Sequence, residues 1–480
     1  MTAGHAARVR YALLVACALL VGSSSARAEL PTDPARVADA PDLGLALSAS
    51  MEVGVLARDV FAGGSLGLGV EQHAFALRLR APLYLAVYDL PPAREEATPL
   101  CRYVRCTDWL ETDGGQLRPE ALSRLVEHLR IGRPGELVYA RGGPLFATLG
   151  TGQLVDRLWN SPEYDRRQSG LYGQLSVPLA ALSAELVVAN LFDPARLVAA
   201  RLQGRPLAPA SLTIPLLGSF LSRLTLAAEG ALDTSATAKV AGTARPVAAF
   251  ATEVLWPLLD EGGIVSLTPF VGGSVVYGLS SDGLGGGAEQ AAFGATLGAR
   301  SELRLPFIAL RGQGSLFVDD EGHRTGLFGT LYMLERREAL HGASLSHGNI
   351  ATVPAPGGLG FALRGEALVA TWLRLGARYQ RDTAVAGDLA EAFGELAVAD
   401  VLVSTRVLQR GSLRQWPGNT LSHDTLVVAE AVWRCFGAVS VFARWYRTPR
   451  DVELGALRFD DDVMVGLRGD LLLSGADDGR

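Results

Sequence analysis

Residues 75–90 read FALRLRAPLYLAVYDL, and their odd positions are Phe75, Leu77, Leu79, Ala81, Leu83, Leu85 and Val87. The even positions include Arg78, Arg80, Pro82, Tyr84 and Tyr88. A period of two marks a β-strand, because successive side chains leave opposite faces of the backbone. The run predicts one strand of about 14 residues, against an average of about 5–6 in soluble domains. One face is apolar and the other carries charge.

The pattern recurs along the chain. Leu45, Leu47, Ala49, Met51, Val53 and Val55 alternate with Gly44, Ser48, Ser50 and Glu52. Leu182, Ala184, Leu186 and Val188 alternate with Ser183 and Glu185, and Leu224, Leu226 and Ala228 with Arg223, Thr225 and Glu229. Leu373, Leu375, Ala377 and Tyr379 face away from Arg374 and Arg378, and Val463, Val465, Leu467 and Leu471 from Arg468 and Asp470. Turn signals such as Asp260-Glu261-Gly262-Gly263 separate the runs. Together they predict an all-β unit of about 16 antiparallel strands, within a range of 14–18.

Residues 91–135 break the pattern and read as a structured insertion. Pro119 suits a first helical turn, and Leu122, Leu125, Val126 and Leu129 follow at i, i+3, i+4 and i+7, which predicts a helix over 119–131. Cys101 and Cys106 precede it as close neighbours, and an exported chain makes a local disulfide between them the expectation.

The first 28 residues carry Arg8 and Arg10, an apolar stretch over 11–21 and the small-x-small site Ala26-Arg27-Ala28, the layout of a secretory signal peptide. Leu14-Val15-Ala16-Cys17 is a competing lipobox-like site. The organisation is then a signal over 1–28, a lead over 29–41, the strand unit over 42–473 with its insertion at 91–135, and a tail over 474–480. Hydrophobic residues make up 49% of the 480, and the mean hydropathy is +0.21. These values exclude a disordered chain. The net charge is −6, and removing 1–28 makes it more negative, so no basic surface for nucleic acid is expected.

A spanning strand needs about 9–11 residues, which the better runs supply. Lipid forbids open sheet edges, so spanning strands must close into a barrel. The export signal, the absence of a long apolar helix and the period-two runs therefore predict a transmembrane antiparallel β-barrel whose odd face in 75–87 touches lipid. Under this topology 136–141 and 145–150 are read as strands flanking a turn at Gly142-Gly143-Pro144, and the 91–135 insertion lies outside the cell.

On the signal and on runs such as 42–55, 75–88 and 463–473, the chain resembles the outer-membrane β-barrel proteins of Gram-negative bacteria, and among them porin-like barrels of middle size. The resemblance implies an outer-membrane location, contact with outer-membrane lipid, and passage of small polar or anionic solutes. A non-conducting barrel that anchors or displays an interaction surface is the alternative, and an envelope hydrolase stands third.

Within a barrel, Arg78, Arg80, Arg374, Arg378, Arg444 and Arg468 fall on the face opposite the apolar stripe and are the lumen-facing candidates. Rings of arginine favour anions; an interior of Arg–Glu pairs, drawing on Glu52, Glu185 and Glu229, is the competing reading. The 119–131 helix is expected to fold into or over the lumen and constrict it, or else to rest outside as a cap. The cluster His341, Ser344, Ser346, His347 and Asn349 suggests a hydrolase, but a Gly/Ser-rich loop explains the same residues. No enzyme activity, catalytic residue, metal site or cofactor is expected.

Overall fold

The computed structural model describes residues 44–56, 59–72, 74–88, 122, 124–160, 169–177, 181–194, 197–207, 221–234, 246–259, 263–277, 291–321, 323, 325–329, 332, 357–382, 388–410, 425–453 and 456–474. The strands are β1 (Gly44–Leu56), β2 (Asp59–Gln72), β3 (Phe75–Tyr88), β4 (Val126–Ile131), β5 (Val138–Gly143), β6 (Phe146–Ala147), β7 (Val155–Asp156) and β8 (Leu158–Trp159). They continue as β9 (Gly170–Val177), β10 (Leu182–Val188), β11 (Val198–Gly204), β12 (Thr225–Asp233), β13 (Val247–Leu255), β14 (Val265–Tyr277), β15 (Ala292–Arg304) and β16 (Ile308–Asp319). The last are β17 (Phe328–Gly329), β18 (Gly358–Val369), β19 (Leu373–Asp382), β20 (Leu389–Val398), β21 (Val401–Arg410), β22 (Thr425–Phe436), β23 (Val439–Glu453) and β24 (Ala456–Ser474).

All but β6, β7, β8 and β17 form one 20-stranded antiparallel sheet in which each strand pairs with its chain neighbours. The sheet closes on itself, because β1 pairs with β24 from Gly44↔Ser474 to Val55↔Val463. Closure leaves no edge in the ring, as a bilayer requires.

Burial runs opposite to that of a water-soluble protein. The apolar positions are exposed, among them Met51 at 75%, Leu83 at 61% and Leu467 at 54%. The charged and polar positions between them, including Glu52, Arg80, Arg201, Glu253, Glu391 and Arg444, are buried. A soluble fold would not leave Leu and Val stripes exposed around its entire circumference. The odd face of β3 is thus the outside of the barrel. Exposed aromatics gather near strand ends, with Phe307, Trp372 and Phe436 at one rim and Tyr277, Phe293 and Phe250 toward the other, where interfacial girdles lie.

Two expectations are corrected. The barrel has 20 strands, above the range of 14–18. Several of the added strands, such as β9 and β11, are only seven or eight residues long and give weak periodicity. The helix over 119–131 is also absent. Val126–Ile131 is strand β4, and Leu122, Arg124 and Leu125 lie in 3₁₀ geometry just before it. The reason is a β-bulge. Leu77 pairs with Leu129, Arg78 with His128, and Leu79 with Val126, so Glu127 is the extra residue. The bulge puts Val126 and Leu129, three apart, on the same outer face as Leu77 and Leu79. That spacing copies a helical stripe. Val126 and Leu129 therefore do not constrict the lumen.

Most links on the rim that holds Gly44 and Ser474 are short, such as 73–74, 305–307, 370–372, 399–400 and 437–438, with 205–224 the long exception. The long links 89–125, 144–169 and 320–357 leave from the opposite end. This asymmetry is that of short periplasmic turns and long extracellular loops. The expected strand at 145–150 does not span the membrane: Leu145 and Leu149 are buried, and only Phe146–Ala147 is extended, within a two-stranded piece. The expected periplasmic turn at 142–144 lies instead at the long-loop rim, and the short turn on the other rim is 132–137, so the insertion read over 91–135 ends in wall strand β4 and does not lie wholly outside.

Candidate functional site

The site is the barrel interior, and its floor plan is set by two chain segments that enter it from the long-loop rim. The first is 144–160, which leaves β5 after Gly143. Within it β6 pairs with β8, and β7 pairs in parallel with β17 of the second segment, Phe328↔Val155 and Gly329↔Asp156. Asn160 closes its base, accepting from the Leu145 amide at 2.6 Å and donating to the Ala189 carbonyl at 2.9 Å.

Apolar side chains of both segments, Leu145, Leu149, Leu154, Leu158, Phe328 and Tyr332, pack on inward-facing small residues of the wall such as Ala199, Ala231, Ala249 and Ala251. The barrel thereby encloses a small hydrophobic core of its own. A wall of alanines gives the segments room to approach, and burying their leucines supplies roughly 1.5–3 kcal/mol per fully buried side chain.

Polar ties fix the first segment to two separated sectors of wall. On the β12–β16 side, Glu253 accepts from the Thr151 amide at 3.2 Å and from its hydroxyl, and Glu229 accepts from the Val155 amide at 3.1 Å. Arg300 donates to the Gly150 carbonyl, and Gln313 to the Thr151 carbonyl at 2.8 Å. On the β19–β20 side, Arg378 pairs with Asp156 at 2.6 Å and Arg157 with Glu391 at 2.9 Å. Arg157 is also stacked between rings, its guanidinium 5.0 Å from Phe146 and 4.7 Å from Phe393. Burial pulls the Arg157 guanidinium down to about 10 while Glu391 opposes the shift, so it stays charged at neutral pH.

The wall beside this segment is rich in arginine. Arg300, Gln313, Arg364 and Arg378 are successive register partners on β15, β16, β18 and β19. Arg406 of β21 lies 4.0 Å over the Phe146 ring and 5.3 Å from that of Trp159, and 3.6 Å from Glu391. Among the described residues no acidic side chain forms an ion pair with Arg364, whereas Arg300 stands in the field of Glu253 and donates to the Gly150 carbonyl and to Gln313.

All six predicted arginines lie on the inner face, and each has an acid beside it. Arg78 pairs with Glu71; Arg80 is 3.7 Å from Glu127 and 4.0 Å from Glu52; Arg374 is 2.5 Å from Glu366. Arg378 meets Asp156, Arg444 meets Glu430 at 2.6 Å, and Arg468 meets Asp470 at 2.8 Å and Glu127 at 3.4 Å. They are spread around the wall in three groups. The structure brings Arg374 and Arg378 together near the inward segment, while Arg80 and Arg468 meet at Glu127, with Arg78 held by Glu71 beside them.

Arg157, Asp156, Glu391, Arg364 and Arg300 were not singled out from the sequence. Strand parity marks the last three as inner-face residues, but nothing in the local pattern places Asp156 and Arg157 inside a barrel. Cys101, Cys106 and the His341–Asn349 cluster lie outside the described residues; Cys435 is a free thiol.

A closed ring with an apolar exterior and a charged interior defines the class: this is a transmembrane β-barrel of the outer membrane. The chain matches no family model, and no curated protein matches it in sequence. Solved structures similar to it include OccK2 (OpdF) of Pseudomonas aeruginosa, solved in complex with glucuronate, at 14% identity and a TM-score of 0.32 over 90% of this chain and 98% of that one. OpdK of the same organism, solved with vanillate, is 11% identical with a TM-score of 0.31 over 90% and 99%. CdiB from Acinetobacter baumannii is 8% identical with a TM-score of 0.28 over 89% and 60%.

Proposed function

We propose that the chain is a passive channel for small polar solutes with a preference for anions, its passage bounded by the 144–160 segment and the arginine wall. The observation that carries this reading is the row Arg300–Gln313–Arg364–Arg378, in which Arg364 forms no ion pair with an acid among the described residues. Uncompensated guanidinium groups in a narrow aqueous space attract anions and offer bidentate donors to carboxylates. The other arginines are neutralised by their carboxylates and serve to hold the wall and segment in place.

The core formed by the two segments favours a second reading, a plugged barrel that anchors or displays a surface. Reconstitution in a planar bilayer under a salt gradient separates the two. Steps of current with a reversal potential on the anion side support the channel. Purified, heat-modifiable protein that passes no current supports the plugged barrel.

A further inference from the structure

We propose that His323 is the latch that keeps residues 325–329, and through them the 144–160 segment, seated inside the barrel. The latch deepens the channel reading, since the two segments bound the passage.

The site is built across three neighbouring strands. Ser274 of β14 pairs in register with Gly294 of β15, and Gly294 with Asp319 of β16. Gly294 leaves a gap between two polar side chains, and the His323 imidazole fills it; a Cβ on Gly294 would collide with the ring. His323 Nδ1 lies 2.8 Å from Asp319 Oδ1 and Nε2 lies 2.9 Å from Ser274 Oγ. With its proton on Nδ1 the ring donates to Asp319 and accepts from Ser274, which satisfies both nitrogens. Asp319 also accepts from the Thr325 amide at 2.9 Å and the Thr325 hydroxyl at 2.8 Å.

The residues after Thr325 reach the first segment. Gly326 donates to the Gln153 carbonyl at 2.7 Å and Phe328 to the Leu154 carbonyl at 3.0 Å. Tyr332 donates to Asp233 of the wall at 2.8 Å. His323 and Thr325 are thus the fixed end of a segment whose residues 326–329 hold 153–156 in place.

Asp on Nδ1 and Ser on Nε2 is also the layout of a hydrolytic triad. A nucleophile, however, has to be reached by substrate. Ser274 is 8% exposed and His323 has no exposed surface, and Asp319 is committed to Thr325. The burial favours a structural pin over an acyl-transfer site.

The test uses the full-length protein in lipid bilayers with the variants His323→Ala, Gly294→Ala and Ser274→Ala. Hydroxyl-radical oxidation of Phe328 and Tyr332, both buried, reads the seating without any need for current. Removing His323 should raise their oxidation roughly tenfold, the factor carried by two buried hydrogen bonds, and Gly294→Ala should act in the same direction. In recordings the same variants should spend more time at a larger conductance level. Unchanged oxidation in His323→Ala and Gly294→Ala overturns the latch and leaves the channel standing. Raised oxidation in proteins that pass no current supports the latch and removes the channel. Fluorophosphonate labelling that disappears in Ser274→Ala overturns the latch in favour of a nucleophilic serine. Should His323→Ala not assemble, Ser274→Ala removes one bond and carries the same test, with a smaller rise expected.

Discussion

Arg157 and Glu391 lie 2.9 Å apart with almost no solvent exposure on either side chain, one on a segment inside the barrel and the other on its wall. Charges this deeply buried are costly to leave alone, so the pair binds the segment to β20 as long as both members are present. Arg157→Ala should loosen 144–160 by about 3–5 kcal/mol, seen as new protease sensitivity within that segment in otherwise folded protein. Arg157→Lys should recover only part of the loss, because an ammonium cannot stack flat between Phe146 and Phe393. Full recovery by lysine would show that charge alone holds the segment.

The arginine wall predicts a selectivity change at one position. Arg364→Glu should lower the anion-to-cation permeability ratio, measured as a shift of the reversal potential toward the cation side. Glu430→Lys, a change of the same size and opposite sign beside Arg444, should move it much less and in the other direction. A shift equal in size and opposite in sign would mean that bulk interior charge, and no particular row, sets the preference.

Leu467 faces lipid on β24, where it pairs with Met51 on one side and Val441 on the other. Leu467→Arg should cost about 2–4 kcal/mol near the bilayer midplane, measured by denaturant unfolding in liposomes. Arg468, its neighbour on the inner face, should tolerate replacement by Gln with a smaller loss. A reversed order would put the apolar face inside.

The bulge in β4 makes its own prediction. A tryptophan at Leu129 should be quenched by brominated lipid tails, and one at His128 should not, because the two side chains leave opposite faces of a strand. A helix over 119–131 would place the two adjacent on its surface and give them similar quenching.

The β3 run is legible over 75–85: its odd positions face outward and its even ones the interior, as the period of two requires. The inner-face arginines follow from the same parity. Where one extra residue breaks that parity, at Glu127, the pattern of Leu122, Leu125, Val126 and Leu129 reads as a helix, since a strand bulge and a helical turn both put residues three apart on one face. Short strands such as Val198–Gly204 carry too few alternations to stand out, which is why 20 strands read as about 16.

Alone, the sequence determined the class of the molecule. Side-chain alternation is a local property of extended backbone, and a chain whose strands are apolar on one face and charged on the other, with no helix to cross a bilayer, has few other ways to bury its surface. Tertiary structure decided the rest. The number of strands depends on which distant segments pair, the closure on Gly44 meeting Ser474, and the interior on Arg157 finding Glu391 and His323 finding Ser274 and Asp319. Those pairings depend on how whole strands and segments come together in space, and no period along the chain encodes them.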